Sequence, residues 1–301
     1  MVMTLILILL LGLPLGLTAL SMVLFLRQSR RDGHWERLGR ECGSPWRAVP
    51  RALVLGWASM VLALILLPLR FVRFSDRTAG TTPDSDPAPS VILVHGIFHN
   101  ASAWLLYRPI LSRAGLRHHF FLEYNSATSI FAEAEDRLAA LTAKVLQARP
   151  GRQVILIGHS LGGLLARTTA SRPEFAPHLA GLITLTTPHG GSILGRLGLT
   201  RLARSLHPDS ALMRSLAQRL PPANLPKLAV VVPTDGLVLP NTAADPPGPG
   251  WTVRRTPPMG HIDVLYHLPT ARLTAEFAAR AWQGGPGQDG PESGVSCRDL
   301  I

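Results

Sequence analysis

The stretch QVILIGHSLGG, residues 153–163, decides the fold. Its first half is a short run of apolar, mostly β-branched residues, which predicts a buried strand, and residues 161–171 after it have a helical pattern. Gly158 and Gly162 flank Ser160 on both sides, so a strand and a helix can approach closely across a sharp turn. The sequence therefore predicts a strand–turn–helix unit with Ser160 at its tip.

Outward from this unit, short apolar runs alternate with helical patterns. Alternation of this kind indicates βαβ units and a mostly parallel sheet. The predicted strands are 90–94, 119–124, 153–157, 180–185, 228–232 and 251–255, and the predicted helices are 100–114, 130–148, 161–171 and 262–282. We therefore expect an α/β domain over 91–283, followed by a Gly- and Pro-rich tail, 284–301, that is expected to be disordered.

Two long apolar segments precede this domain, at about 5–26 and 52–69. A helix needs roughly 20 apolar residues to span a bilayer, and both segments approach or reach that length. A cleaved signal peptide is the alternative for the first segment, but Met1–Thr4 carries no positive charge and the apolar run is too long. A buried core helix is the alternative for the second, which lacks a polar face. We expect a membrane anchor over 1–72.

Arginines predict the orientation of this anchor. The loop 27–51 contains seven of them, whereas the N-terminal tail has no Lys or Arg. Because positive short loops stay in the cytoplasm, we expect a cytoplasmic loop 27–51 and an external α/β domain. In a bacterium with an outer membrane, this describes a multi-pass inner-membrane protein with a periplasmic domain. Arg70, Arg73 and Arg77 after the second segment weigh against this orientation. The linker 73–90 is rich in Pro, Ser, Thr and Asp, as exposed linkers are.

Composition argues against several other classes. The formal net charge is +11, but the arginines are scattered and form no basic stripe interleaved with aromatics, so we expect no nucleic-acid partner. Cys42 and Cys297 belong to no CxxC or Cys/His cluster, so we expect neither a metal nor a redox site. They lie in regions expected on opposite sides of a membrane, so a disulfide between them is not expected.

Ser160 stands in a G-x-S-x-G motif between a strand and a helix, which is the setting of a nucleophile elbow. A nucleophilic serine needs a base, and the base needs an orienting acid; in this setting the chain order is Ser, then Asp or Glu, then His. Asp235 follows the predicted strand 228–232, at an edge where sites gather in open α/β sheets. Asp209 resembles a helix cap, and Asp245 lies in a Pro-rich loop.

His261 is the candidate base because it lies just after the last predicted strand and before the last helix. Its rival, His267, falls inside that predicted helix. The oxyanion hole should combine the backbone N–H of Leu161 with one from the loop after the first strand, where Ile97 is preferred and Phe98 is next. His95 and His99 stand four residues apart, but in a loop, so a zinc site is not expected.

Four motifs together carry a family resemblance: HGI (95–97), GHSLGG (158–163), TTPHGGS (186–192) and the later DG…GH pair. They resemble bacterial α/β-hydrolase lipases and esterases of the compact triacylglycerol-lipase type, over about 91–282. The resemblance implies the α/β-hydrolase fold, hydrolysis of carboxylic esters, often acyl lipids, through an acyl-enzyme, and no cofactor. It implies Ser160 as nucleophile, Asp235 as acid and His261 as base. It also implies that His189 and Gly190 line the site.

The leucine-rich segment 193–222 fits either a lid or an ordinary pair of cap helices. We therefore expect a membrane-anchored serine hydrolase acting on a lipid or small lipophilic ester. Two alternatives stay open. One is a thioesterase, amidase or acyltransferase that uses the same three residues, and the other is a membrane-bound binding module without catalysis.

Overall fold

The computed structural model describes residues 8–71 and 86–284. Six strands form one sheet in the order β2-β1-β3-β4-β5-β6, and every neighbouring pair is parallel. The predicted mostly parallel sheet is thus confirmed. The strands are β1 (Ser90–Val94), β2 (His118–Leu122), β3 (Val154–His159), β4 (Leu179–Leu185), β5 (Lys227–Val231) and β6 (Trp251–Arg255).

Helices cover both faces of this sheet. Successive residues of β1 point to opposite faces, so Ile92 packs into one apolar core and Val91 into the other. Strands buried on both faces read as continuous apolar runs, which is why this sheet could be recognised in the sequence. The helices of this α/β domain are α4 (Tyr107–Arg113), α5 (Phe131–Ala148), α6 (Leu161–Ala170), α7 (Arg201–Arg204), α8 (Ala211–Ala217) and α9 (Leu268–Trp282).

Two predicted helices are shorter than expected. The first consists of a 3₁₀ turn at Ala101–Trp104 followed by α4, and the side chain of Asn100 caps the turn by accepting from the Ser102 amide at 2.8 Å. The last begins only at Leu268, because Pro269 is well placed in a first helical turn and poorly placed further along. His267 is consequently the residue before α9.

The N-terminal apolar segments form two long helices. A π-helical turn at Ile8–Gly12 leads into α1 (Leu13–Arg31), which is followed by α2 (His34–Cys42) and α3 (Pro45–Leu66). The segments Ile8–Arg31 and Pro45–Leu69 are long and apolar enough to cross a membrane. The predicted loop 27–51 is largely helical, and residues 5–7 lie outside the described residues. We call residues 8–66 the hairpin.

The hairpin lies against the α/β domain along its length. Near the start of α2, His34 Nε2 donates to the carbonyl of Pro233 at 2.7 Å. At the far end, beyond α3, the carbonyl of Leu67 accepts from Asn100 Nδ2 at 3.2 Å. Between them, Phe25 of α1 shares an apolar cluster with Leu239 of the α/β domain. The α/β domain is therefore contacted both by the connection between α1 and α3 and by Leu67, just after the hairpin.

Cys42, at the end of α2, is disulfide-bonded. The other cysteine of the chain, Cys297, lies outside the described residues. Of the predicted linker 73–90, only residues 86–90 are described, and of the predicted tail only Gly284.

Candidate active site

Ser160 occupies a strained turn between β3 and α6. Its φ of 54° and ψ of −124° lie in a region that residues with side chains seldom adopt. The amide of Ser160 donates to the carbonyl of Leu185 at 2.8 Å, which ties the turn to the end of β4. The structure thus contains the predicted strand–turn–helix unit with Ser160 at its turn.

The glycines around Ser160 are required by close backbone approach. A methyl group at Gly158 would overlap the carbonyl of Gly162, and one at Gly162 would overlap the carbonyl of Val94. A methyl group at Gly163 would overlap the hydroxyl of Thr187. Helix α6 can therefore begin directly above β1 and β3 only because these positions lack side chains.

Asp235 and His261 form a direct hydrogen bond. His261 Nδ1 donates to Asp235 Oδ2 at 2.7 Å, and the carboxylate is only 1% exposed. The other carboxylate oxygen, Oδ1, accepts from the amides of Leu237 at 2.8 Å and Val238 at 3.1 Å. The carboxylate is thus held by three donors, and its bond to Nδ1 directs the other imidazole nitrogen away from it.

Ser160 and His261 line the same cavity, of about 270 Å³, together with Ile97. The cavity lies at the carboxyl ends of β1 and β3. β1 lies between β2 and β3, so the chain changes direction across the sheet at this point. Such switch points are where ligands bind in open α/β sheets.

The two oxyanion-hole candidates also lie beside Ser160. Leu161 is the first residue of α6, where backbone N–H groups have no acceptor within the helix. A methyl group at Gly96 would come 3.0 Å from Ser160 Cβ, so the backbone entering Ile97 passes directly beside the serine. The amide of Phe98 donates to Ser126 Oγ at 3.1 Å and is therefore engaged elsewhere.

Three residues that we had not singled out from the sequence position the His261 loop. His159 Nε2 and Thr186 Oγ1 donate to the carbonyl of His261 at 3.2 and 3.3 Å. Thr234 Oγ1 donates to the carbonyl of Met259 at 2.7 Å, which joins the loops that carry Asp235 and His261. Burial lowers the pKa of His159 well below its usual value, so a neutral ring donates this bond. In the sequence, His159 and Thr234 stand next to predicted site residues, and Thr186 begins the TTPHGGS motif.

His99 lines the cavity, whereas His189 and His267 are absent from its wall. His189, which the resemblance implied would line the site, is buried, with Nδ1 3.3 Å from Arg167 Nη1 and Nε2 3.1 Å from Thr184 Oγ1. Its neighbour Gly190 donates its amide to the carbonyl of Ala243 at 2.8 Å and is likewise absent from the cavity wall. His267 Nδ1 lies 2.8 Å from Thr270 Oγ1 at the start of α9.

The remaining rivals have other contacts. His95 is buried and stacks on the ring of Tyr124 at 4.4 Å, whereas Asp245 pairs with Arg255 at 3.3 Å on the surface. Over residues 8–71 and 86–284, no three His, Cys, Asp or Glu side chains come together as a metal site would require.

The chain belongs to the alpha/beta hydrolase family, whose family model matches residues 91–293. The sheet order, the strained serine turn and the covering helices described above are consistent with that membership. The resemblance drawn from the four sequence motifs is thereby confirmed at the level of the family and its fold.

Solved structures share this fold. The mature form of the lipase BlEst2 from Bacillus licheniformis matches 65% of this chain and 94% of its own, with 19% identity and a TM-score of 0.54. Lipase B from Aspergillus fumigatus matches 73% of this chain and 60% of its own, with 16% identity and a TM-score of 0.56. At these identities the likeness is one of fold.

A curated relative shares a shorter stretch at higher identity. The GPI inositol-deacylase of Candida albicans is 36% identical over 76 residues, which is 23% of this chain. The match spans only 20% of that relative's length.

Proposed function

We propose that this chain is a serine hydrolase that cleaves carboxylic esters through an acyl-enzyme. Ser160 attacks the ester carbonyl, and His261 accepts the serine proton and returns it to the leaving alcohol. Asp235 holds the imidazole in the required tautomer and stabilises its charged form. A water molecule, activated by His261, then attacks the acyl-enzyme and releases the acid.

The observation that carries this proposal is the joint placement of the three side chains. His261 Nδ1 donates to a buried carboxylate at 2.7 Å, and His261 shares one cavity with a serine held at a positive φ. This geometry supports the proposed roles, because the base must face the nucleophile with one nitrogen and the acid with the other. Asp235 is buried and held by three hydrogen-bond donors, so its carboxylate can keep the His261 imidazole in one orientation.

The backbone amides of Ile97 and Leu161 are proposed to stabilise the oxyanion that develops in each step. Both lie beside Ser160, one on the loop after β1 and one at the start of α6. Amides placed in advance where charge develops stabilise the transition state strongly, and the positive end of the helix adds to this.

A lipid or lipophilic acyl ester is the proposed substrate. The walls of the cavity include Leu194, Leu206 and Val238, which suit an apolar acyl group. The fold-level neighbours include lipases, and the curated relative is a deacylase. The two apolar helices are proposed to associate the protein with a membrane, where such substrates reside.

A panel of p-nitrophenyl esters of rising chain length tests this function in the full chain in detergent. Wild type should hydrolyse them, and Ser160→Ala should lower kcat by about 10⁴-fold or more. The control is Ser215→Ala, an exposed serine of α8. Turnover of thioesters or amides in preference to esters would favour the other uses of the same three residues. No turnover of any substrate would favour a binding module.

A further inference from the structure

A second cavity, of about 440 Å³, lies between the hairpin and the loops around His261. Helix α1 contributes Leu17 to its wall and helix α3 contributes Met60. The α/β domain closes it with Leu237 and His261. The lining is overwhelmingly apolar, so the cavity suits a hydrocarbon ligand rather than a polar one.

This cavity adjoins the one that holds Ser160. Four residues line both cavities: Leu194, Leu237, His261 and Ile262. A ligand with its ester carbonyl at Ser160 could therefore extend an apolar chain past His261 and under the hairpin. The two cavities together make a site much longer than a small ester requires.

The opposite face of the hairpin is also apolar. Large apolar side chains on both long helices are exposed, among them Leu9, Leu13 and Val23 on the first and Val54 and Ile65 on the second. An exposed apolar surface of this extent on helices of this length is suited to contact lipid hydrocarbon. The wall of the second cavity is thus made by helices whose outer face suits the bilayer.

We propose that the second cavity binds the acyl chain of a membrane lipid, with the hairpin as its wall. This rests on the proposed function for the position of the ester bond, but acyl-chain binding itself needs no catalysis. The hairpin then serves substrate binding as well as anchoring. Chain-length preference is set jointly by Leu17, Met60 and Leu237.

The test measures binding of a fluorescent long-chain fatty acid to full-length Ser160→Ala in detergent. Leu17→Trp in this background fills the cavity and should raise Kd at least fivefold. The matched control is Leu15→Trp, since Leu15 and Leu17 are both 48% exposed and lie on the same helix, but Leu15 lies outside the cavity. Leu15→Trp should change Kd less than twofold. Met60→Trp on the other helix provides a second blocking variant.

Equal binding to all variants, as partition onto the outer face would give, overturns the acyl-chain site. So does the absence of binding beyond a detergent blank. Neither result bears on the ester panel, so failure of this site and failure of the proposed function remain distinguishable. If esters are hydrolysed, Leu17→Trp should also lower the ratio of long-chain to short-chain turnover, and Leu15→Trp should not.

A different observation concerns the side of the membrane on which the hairpin loop lies. His34 of α2 donates to Pro233, and Glu41 of α2 pairs with Arg255 at 3.6 Å. At the opposite end of α3, Leu67 contacts Asn100. Helix α3 is 22 residues long, or about 33 Å, so these contacts are separated by about the thickness of a bilayer's hydrocarbon core.

We infer that the connection between α1 and α3 lies on the same side of the membrane as the α/β domain. A hairpin that crossed the bilayer would place this connection on the other side and break its contacts with Pro233 and Arg255. The hairpin thus lies along the membrane, whereas arginine distribution alone predicted a cytoplasmic loop.

Labelling with a membrane-impermeant maleimide in sealed membrane vesicles tests this arrangement. In a Cys42→Ser/Cys297→Ser background, Ser44→Cys reports the connection and Gln147→Cys reports the α/β domain, since both positions are exposed. The two should be labelled together or protected together, whichever way the vesicles face. Labelling of only one before detergent is added would overturn the inference.

Discussion

The turn at Ser160 and the hairpin both approach His261, but they are positioned by different kinds of contact. The turn is fixed by close backbone approach, since a methyl group at Gly158 would overlap the carbonyl of Gly162 and one at Gly162 would overlap the carbonyl of Val94. The hairpin is fixed by contacts between distant residues, such as His34 with Pro233. The geometry at Ser160 therefore depends on backbone fit around two glycines, and the position of the hairpin depends on side-chain and tertiary packing.

Because of this difference, substitutions in the two regions should have effects of different size. A change within the turn or its partners should affect catalysis or folding strongly, because the neighbouring atoms are closely packed and largely backbone. A change in the hairpin should be milder, because side chains there can adjust. The predictions below run from the largest expected effect to the smallest.

Loss of the charged acid should have the largest effect on catalysis. Asp235→Asn keeps the side-chain shape but disfavours the Nδ1–H tautomer of His261, so kcat should fall by about 10⁴-fold. The control is Asp245→Asn, the surface rival that pairs with Arg255, which should stay within twofold of wild type. Ester kinetics on the folded variants measure both, and a loss below tenfold in Asp235→Asn would rule out this role.

Adding one methyl group should destabilise the protein more in the Ser160 turn than in the hairpin. Gly162→Ala forces overlap with the carbonyl of Val94, so the free energy of unfolding should fall by roughly 3 kcal/mol or more. Gly56→Ala in the hairpin meets the methyl group of Thr18 at 3.2 Å, which can shift, so its change should stay within about 1 kcal/mol. Thermal unfolding in detergent compares them, and equal losses would contradict the distinction.

A methyl group at Gly96 should disturb catalysis without unfolding the domain. It would lie 2.9 Å from His159 Nδ1 and 3.0 Å from Ser160 Cβ, so the serine must shift by a few tenths of an ångström. Misplacement on the scale of an ångström costs about 10²-fold in rate, and we expect Gly96→Ala to lose roughly that much or less in kcat/KM. An unchanged kcat/KM would show that the loop after β1 does not constrain the nucleophile.

The smallest expected difference between the two regions is in how their buried histidines make stability depend on pH. Burial lowers the pKa of His159 in the turn and of His34 in the hairpin, so both are neutral when folded and protonate more readily when unfolded. The contribution of these neutral rings to the free energy of unfolding is fully present above about pH 6.5 and is lost as the pH falls. Wild type should lose part of its free energy of unfolding between about pH 7.5 and 5. His159→Gln should reduce this loss by roughly 1 kcal/mol, and His34→Gln should reduce it by less. Melting curves at both pH values measure this, and an unchanged loss in His159→Gln would refute it.

The local part of the site could be predicted from the sequence. Strand, turn and helix around Ser160 follow from apolar patterning and two glycines, and the sheet order brings the loops after β5 and β6 to the same edge. That edge is where Asp235 and His261 meet. The roles of Thr186 and Thr234 could not be predicted, because each depends on which carbonyl a hydroxyl reaches after folding.

The position of the hairpin could not be predicted either. Its helices are apolar on nearly all sides, so the pattern gave no indication that Thr18 and Gly56 face a protein surface. The helices themselves were predicted from length and composition alone. Their packing against Gly260 and Pro233 depends on close backbone approach and on one buried histidine, which no periodicity records.

Peptide mapping by mass spectrometry after reaction with a fluorophosphonate tests the central claim most directly. The reagent reports a serine activated by a base, whatever the natural substrate is. The phosphonyl mass should appear on the peptide that contains Ser160, and it should be absent in Ser160→Ala and strongly reduced in Asp235→Asn. A phosphonyl group on any other residue, or ester turnover that persists while Ser160 stays unmodified, would contradict Ser160 as the nucleophile.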